Sequence, residues 1–314
     1  MLATFQATLS PMLMLFLCIL IGFLLNKAKI VPDNTETVLS KMENWVFLPA
    51  LVVNTFMSYC TVDSIRENAS LILYATGILV LAIAIAMVLS GVFQRQGYQR
   101  NVYRYALAFG NFGFMGNAIV PAILGQDMLY PYLLFTLPLQ VGVYTWGMAI
   151  LIPRENQSGS PLKSLVNPMF ASVILGSALG LLGAGRYVPA FVLNALESLG
   201  GCMGPVAMIL TGIVVGKYDF LALLKNKKVY AATLLRLLVL PALYLVLLRF
   251  VGADTTTMLL CMFAFGTPLG LNTVVFPAAY GGDTSTGASM AMISHTLSVL
   301  SIPLLYAVVS ALIL

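Results

Sequence analysis

Apolar residues run along this chain in long blocks rather than in the short periodic clusters of a water-soluble fold. Blocks long enough to cross a bilayer as helix, roughly 20 residues, recur near 7–26, 36–58, 69–93, 102–124, 129–152, 166–184, 192–215, 228–250, 256–280 and 285–313. Short polar turns separate them, and the longest polar connection, Pro153 to Lys163, falls mid-chain. The pattern predicts an all-α polytopic membrane protein of ten transmembrane helices.

Two of these blocks carry interruptions. Gly110 to Gly125 reads GNFGFMGNAIVPAILG, and Gly266 to Gly281 reads GTPLGLNTVVFPAAYG. Pro121 and Pro277 have no N–H, so the carbonyls of Asn117 and Thr273 lose their helical partners. The clustered glycines let the backbone unwind. In lipid, such groups persist only where protein or a water-filled cavity satisfies them. Both blocks are therefore expected to be broken helices, a pattern that marks binding sites in transporters. Pro49, in FLPALVVNTF, and Pro205, in GPVAMILTG, are expected to kink the second and seventh spans and open a cleft beside Asn54 and Thr211.

A single shift relates the two interrupted blocks. Gly110 to Gly266 is 266 − 110 = 156 residues, and the same offset joins Pro49 to Pro205, Tyr74 to Tyr230, Pro121 to Pro277 and Asp127 to Asp283. The chain thus reads as a five-helix unit duplicated, residues 1–153 and 164–314 about a cytoplasmic linker at 154–163. Five is odd, so the second copy enters the membrane inverted. With the N-terminus outside, twelve Lys and Arg fall in inner loops, and only Arg66, Arg186 and Arg249 in outer ones. Both termini are expected outside.

Composition agrees with this picture. The 314 residues are 60% hydrophobic and 9% charged, with mean hydropathy +0.96, against about 25% charged in soluble domains. The start, MLATFQATLS, shows no removable signal peptide. The four cysteines are scattered without metal spacing or a disulfide framework and read as small core residues. The net charge of +5 comes from dispersed residues and reflects loop bias rather than nucleic-acid binding. No cofactor or metal is implied.

The candidate chemistry lies at the interruptions. Asn117 and Asn272 can cap the half-helices that follow, whose opened N-terminal turns suit a carboxylate. If the half-helices cross, both amides are expected to converge with Gly116 and Thr273 on one polar chamber. Asn111 and Thr267 occupy matching positions earlier, where a helix–helix hydrogen bond competes with ligand contact. His295, the only histidine, is a candidate for proton coupling, with a neutral ring bonded to a neighbouring helix as the alternative. Arg236 is read as snorkelling to the headgroups, with attraction of anions at the inner vestibule as the alternative, and Asp127 and Asp283 as turn or capping residues. GSALG (Gly176 to Gly180) is a close-packing face.

The run Asn111 to Gly116, the Leu48-Pro49 kink, the Leu139-Gln140 pair and VVFPAAYGGD at Val274 to Asp283 resemble the auxin efflux carrier family, bacterial branch, over nearly the whole chain. That resemblance implies a fold similar to bile acid sodium symporters, with crossed, broken helices 4 and 9. Helices 1, 2, 6 and 7 would form a scaffold, able to dimerise, and helices 3–5 and 8–10 a moving transport unit. It also implies a small organic anion as substrate, a carboxylate such as a dicarboxylic acid or an auxin-like acid, with Gln140 beside it and the inner membrane as location. An intramembrane enzyme would need a nucleophile with a base or a metal cluster, which the spans lack. A sensor that binds the anion without moving it remains the alternative.

Overall fold

The computed structural model describes residues 2–152, 165–279 and 283–313. The linker expected at 154–163 lies outside the described residues. Within them the secondary structure is helical apart from one isolated antiparallel bridge, between Gly110 and Leu269. In chain order the α-helices are α1 (Leu2–Lys27), α2 (Thr35–Met42), α3 (Leu48–Tyr59), α4 (Val62–Phe93), α5 (Tyr98–Ala108), α6 (Asn117–Leu124), α7 (Leu129–Gly142) and α8 (Met148–Leu151). There follow α9 (Pro168–Leu181), α10 (Ala190–Gly216), α11 (Phe220–Leu224), α12 (Lys227–Leu234), α13 (Leu240–Phe250), α14 (Thr255–Phe265), α15 (Asn272–Ala279) and α16 (Ser285–Ile313). Among the described residues six helices, counting continuous stretches, are long and apolar enough to cross a membrane, and three shorter apolar helices accompany them.

The prolines do not break helices where the sequence suggests. Pro121 and Pro277 lie inside α6 and α15, and Pro205 lies inside the uninterrupted α10. The helices are interrupted earlier, at 109–111 and 266–271, where glycines lie. Pro49 is handled differently again. A π-helical turn, Glu43–Phe47, precedes it, and the Leu48 N–H reaches back to the Glu43 carbonyl. Leu235–Val239 does the same before Pro241, with the Leu240 N–H bonded to the Leu235 carbonyl. The wider turn takes up the carbonyl register that proline would leave unsatisfied.

Helix packing uses glycine as a groove. The helix α1 lies along α10, and α3 lies along α9 and α10. On the α1–α10 seam, methyl groups added at Gly22 and Gly212 would overlap the carbonyls of Ile209 and Ile19. The GSALG face of α9 packs inside the chain, where Gly176 and Gly180 meet Phe56 on α3. Of the cysteines, Cys60 and Cys261 are buried, but Cys202 is exposed on α10, which corrects its reading as a core residue.

Asp283 keeps its expected capping role: its Oδ1 accepts from the Ser285 amide at 2.9 Å. That backbone bond holds the carboxyl below the usual aspartate range. The cap's contribution is present above the unfolded aspartate range and is lost as pH falls through the lowered folded value. Protection factors of the first α16 amides, corrected for the intrinsic pH dependence of exchange, should therefore fall on acidification, and should not do so in Asp283→Asn.

Candidate functional site

The two interruptions meet. The Asn111 amide donates to the Pro268 carbonyl at 2.7 Å, closing the bridge between Gly110 and Leu269. Gly110 permits this approach, because a Cβ there would stand 2.5 Å from Thr267 Oγ1 and 2.6 Å from Arg236 Nη2. From the second interruption the Leu269 amide reaches Ser294 Oγ on α16 at 3.0 Å. Each segment of irregular backbone therefore finds partners in protein, as an apolar surround requires.

After the crossing, each chain restarts as helix. In the first half the helix begins at Phe112, as a π-turn through Gly116 that continues into α6. The Asn111 carbonyl accepts from Met115 and Gly116 at its base. In the second half it begins at Asn272. Both starts border one small cavity of about 40 Å³ lined by Asn111, Gly113, Gln140, Leu271 and Asn272. Opening amides of a helix carry positive potential and unfilled donors.

The polar side chains at this cavity are held from outside it. Asn272 donates to Tyr105 Oη at 2.9 Å. Asn111, 2% exposed, donates its Nδ2 to His295 Nε2 at 2.9 Å. His295 in turn gives its Nδ1–H to the Ala291 carbonyl at 2.7 Å, since a carbonyl can only accept. That pattern belongs to the neutral imidazole with the proton on Nδ1. The Gln140 amide has no hydrogen-bond partner among the described residues, and its Nε2 sits 3.2 Å from where a Cβ of Gly113 would be.

Asn117 is elsewhere. It lines a second, larger cavity of about 510 Å³ together with Asn54, Ser58, Gln126 and Glu197. Its side chain is buried, and neither amide atom has a hydrogen-bond partner. The expected convergence of Asn117 and Asn272 on one chamber is thus corrected. The restarted helix begins five residues before Asn117, roughly 7–8 Å along the axis, and turns that residue toward α3 and α10. The shift of 156 residues pairs Asn117 with Thr273, and Asn272 with Gly116, so the two asparagines do not occupy equivalent positions.

Three other expected contacts are absorbed by structure. Thr267 and Thr273 bond the carbonyls of Ala264 and Gly270, and Gly116 faces the Tyr132 hydroxyl. Two charged residues are placed against expectation. Arg236 does not snorkel: it is fully buried, and its Nη1 donates to the carbonyls of Leu107 and Ala108 at 3.2 and 3.4 Å. Glu43, which the sequence reading passed over, is also fully buried, with neither carboxyl oxygen bonded. The only sequence cue to either was its position within an apolar run.

A family model described as membrane transport protein matches residues 7–161 and again 158–306, together nearly the entire chain. No curated protein matches the chain significantly. The helices, the crossing and the double match agree, and this integral membrane protein is a transporter belonging to the auxin efflux carrier family.

Proposed function

We propose that the chain is a secondary carrier of a small organic anion that works by elevator-type alternating access. The observation that carries this reading is the convergence of two helix starts, with Asn111, Gln140 and Asn272, on the cavity at the crossing. Donor amides and positive helix ends there suit a carboxylate and need no metal. The scheme takes ten membrane crossings in two inverted five-helix halves, split at 154–163, with the fold of bile acid sodium symporters. The rods α1, α2–α3, α9 and α10 form the scaffold, and dimerisation through it would use a surface other than the GSALG face, which α3 covers. The other helices move.

With both termini outside the inner membrane, the larger cavity opens outward and the smaller one lies toward the cytoplasm. Asn54 and Asn117 then give an arriving guest its first polar contacts. The prolines at 121, 205 and 277 act by leaving carbonyls free beside these cavities rather than by breaking helices, and Pro49 acts through the π-turn that precedes it. His295 is the group through which a proton could be coupled, because protonating Nε2 would break its bond from Asn111.

The test is counterflow of labelled carboxylates in proteoliposomes, which a sensor that only binds would not support. Asn272→Ala and Gln140→Ala should each lower the rate about tenfold or more, as expected when a buried polar contact to a charged guest is lost. Gel-filtration profiles should stay unchanged. Full counterflow by the double variant would remove the crossing cavity from the mechanism.

A further inference from the structure

Arg236 is an uncompensated charge at the crossing. It is 0% exposed, and among the described residues no carboxylate pairs with it. Its Nη1 donates to the last carbonyls of α5. Its guanidinium lies 5.5 Å from the ring centroid of Phe265, the last residue of α14. Its Nε and Nη2 have no hydrogen-bond partner. The Nη2 lies against Gly110, which also lines the small cavity. A buried cation in a weakly screening surround is costly unless something negative stands near it.

The helix ends can be summed. A helix terminus acts as about half an elementary charge, positive at the start and negative at the end. At the crossing, α5 and α14 end, and two helices begin. Two negative and two positive half-charges cancel, and the full charge of Arg236 is left. The neighbouring asparagines, glutamine and neutral histidine add dipoles but no net charge.

We propose that Arg236 sets the valence of the guest, so that the crossing cavity selects a monocarboxylate over both the uncharged amide and a dicarboxylate. This rests on the anion-carrier reading and narrows it. Arg236 acts through the Gly110 backbone, as a positioning and specificity-determining residue rather than a contact residue. A single carboxylate neutralises the crossing. A second one would enter a site with no remaining positive charge.

Two size-matched sets test this by thermal stabilisation of purified full-length protein: butyrate, butyramide and succinate, then benzoate, benzamide and phthalate. In wild type one of the monocarboxylates should bind at least about tenfold more tightly than its amide and its dicarboxylate. Arg236→Gln should bring acid and amide to within about threefold of each other, while Arg236→Lys, which keeps the charge, should preserve most of the preference. A dicarboxylate that binds wild type as well as the monocarboxylate overturns the proposal without any variant. So does an unchanged acid-to-amide ratio in Arg236→Gln. If none of the four acids stabilises wild type, the anion-carrier reading fails and the proposal fails with it.

Discussion

Gly110→Ala should abolish transport and lower stability by about 2–3 kcal/mol, the cost of overpacking a closed site. The added methyl would stand 2.5 Å from Thr267 Oγ1, 2.6 Å from Arg236 Nη2 and 2.9 Å from the Thr267 carbonyl oxygen. The arginine could swing aside, but the Thr267 backbone is fixed by the bridge between Gly110 and Leu269. Relief therefore requires the two interruptions to separate, which exposes the Asn111 amide and the Pro268 carbonyl to an apolar surround. Gly113→Ala is the control for stability only, since its nearest neighbour is the cavity-lining Gln140 side-chain amide at 3.2 Å, which can move. Thermal unfolding in detergent and counterflow in liposomes would read both variants. A Gly110→Ala protein of native stability and rate would mean that the crossing is not closely packed.

The second large effect is expected far from the crossing, at Gly212. A methyl there would overlap the Ile19 carbonyl oxygen and press within 2.7 Å of the Phe23 amide nitrogen, so only a shift of α1 away from α10 can accommodate it. These two helices share one of the most extensive contacts in the fold, and separating them forfeits packing along the seam. Gly212→Ala should cost about 3 kcal/mol and reduce the yield of monodisperse protein. Gly201→Ala on the same helix, with open space around it, should behave as wild type. Equal melting temperatures for the two variants would show that the seam yields more easily than its geometry implies.

Much of this architecture could be read from the chain. The apolar blocks locate the helices, and the paired glycine-rich blocks locate the interruptions that meet. What the sequence obscured was phase. The π-turn of Phe112–Gly116 carries the restarted helix back to Asn111, which moved Asn117 out of the chamber it was expected to share with Asn272. No residue type announces a π-turn, because it depends on which carbonyl the surrounding helices leave free. Arg236 was misjudged for a related reason. Distance from a span's end gives depth but not direction, and its direction follows from the carbonyls that α5 exposes where it stops. The glycine pair of GIVVG, Gly212 and Gly216, was as visible as GSALG, yet only the packed structure shows that it seats α1. Gln140 borders the cavity at the crossing, and only family resemblance, not its position in the sequence, links it to a substrate.

The bonds at the crossing also constrain how this chain can change over generations. Asn111 is held by Pro268 and His295, and Leu269 by Ser294. The Asn111 bonds, like that of Asn272 to Tyr105, cross from one half to the other. Once fused, the two copies gave up their independence: a substitution tolerated in one is tolerated only in light of what the other already carries. Drift is thereby coupled across a distance of more than 150 positions, and a half transplanted from a relative would arrive without the groups that finish it.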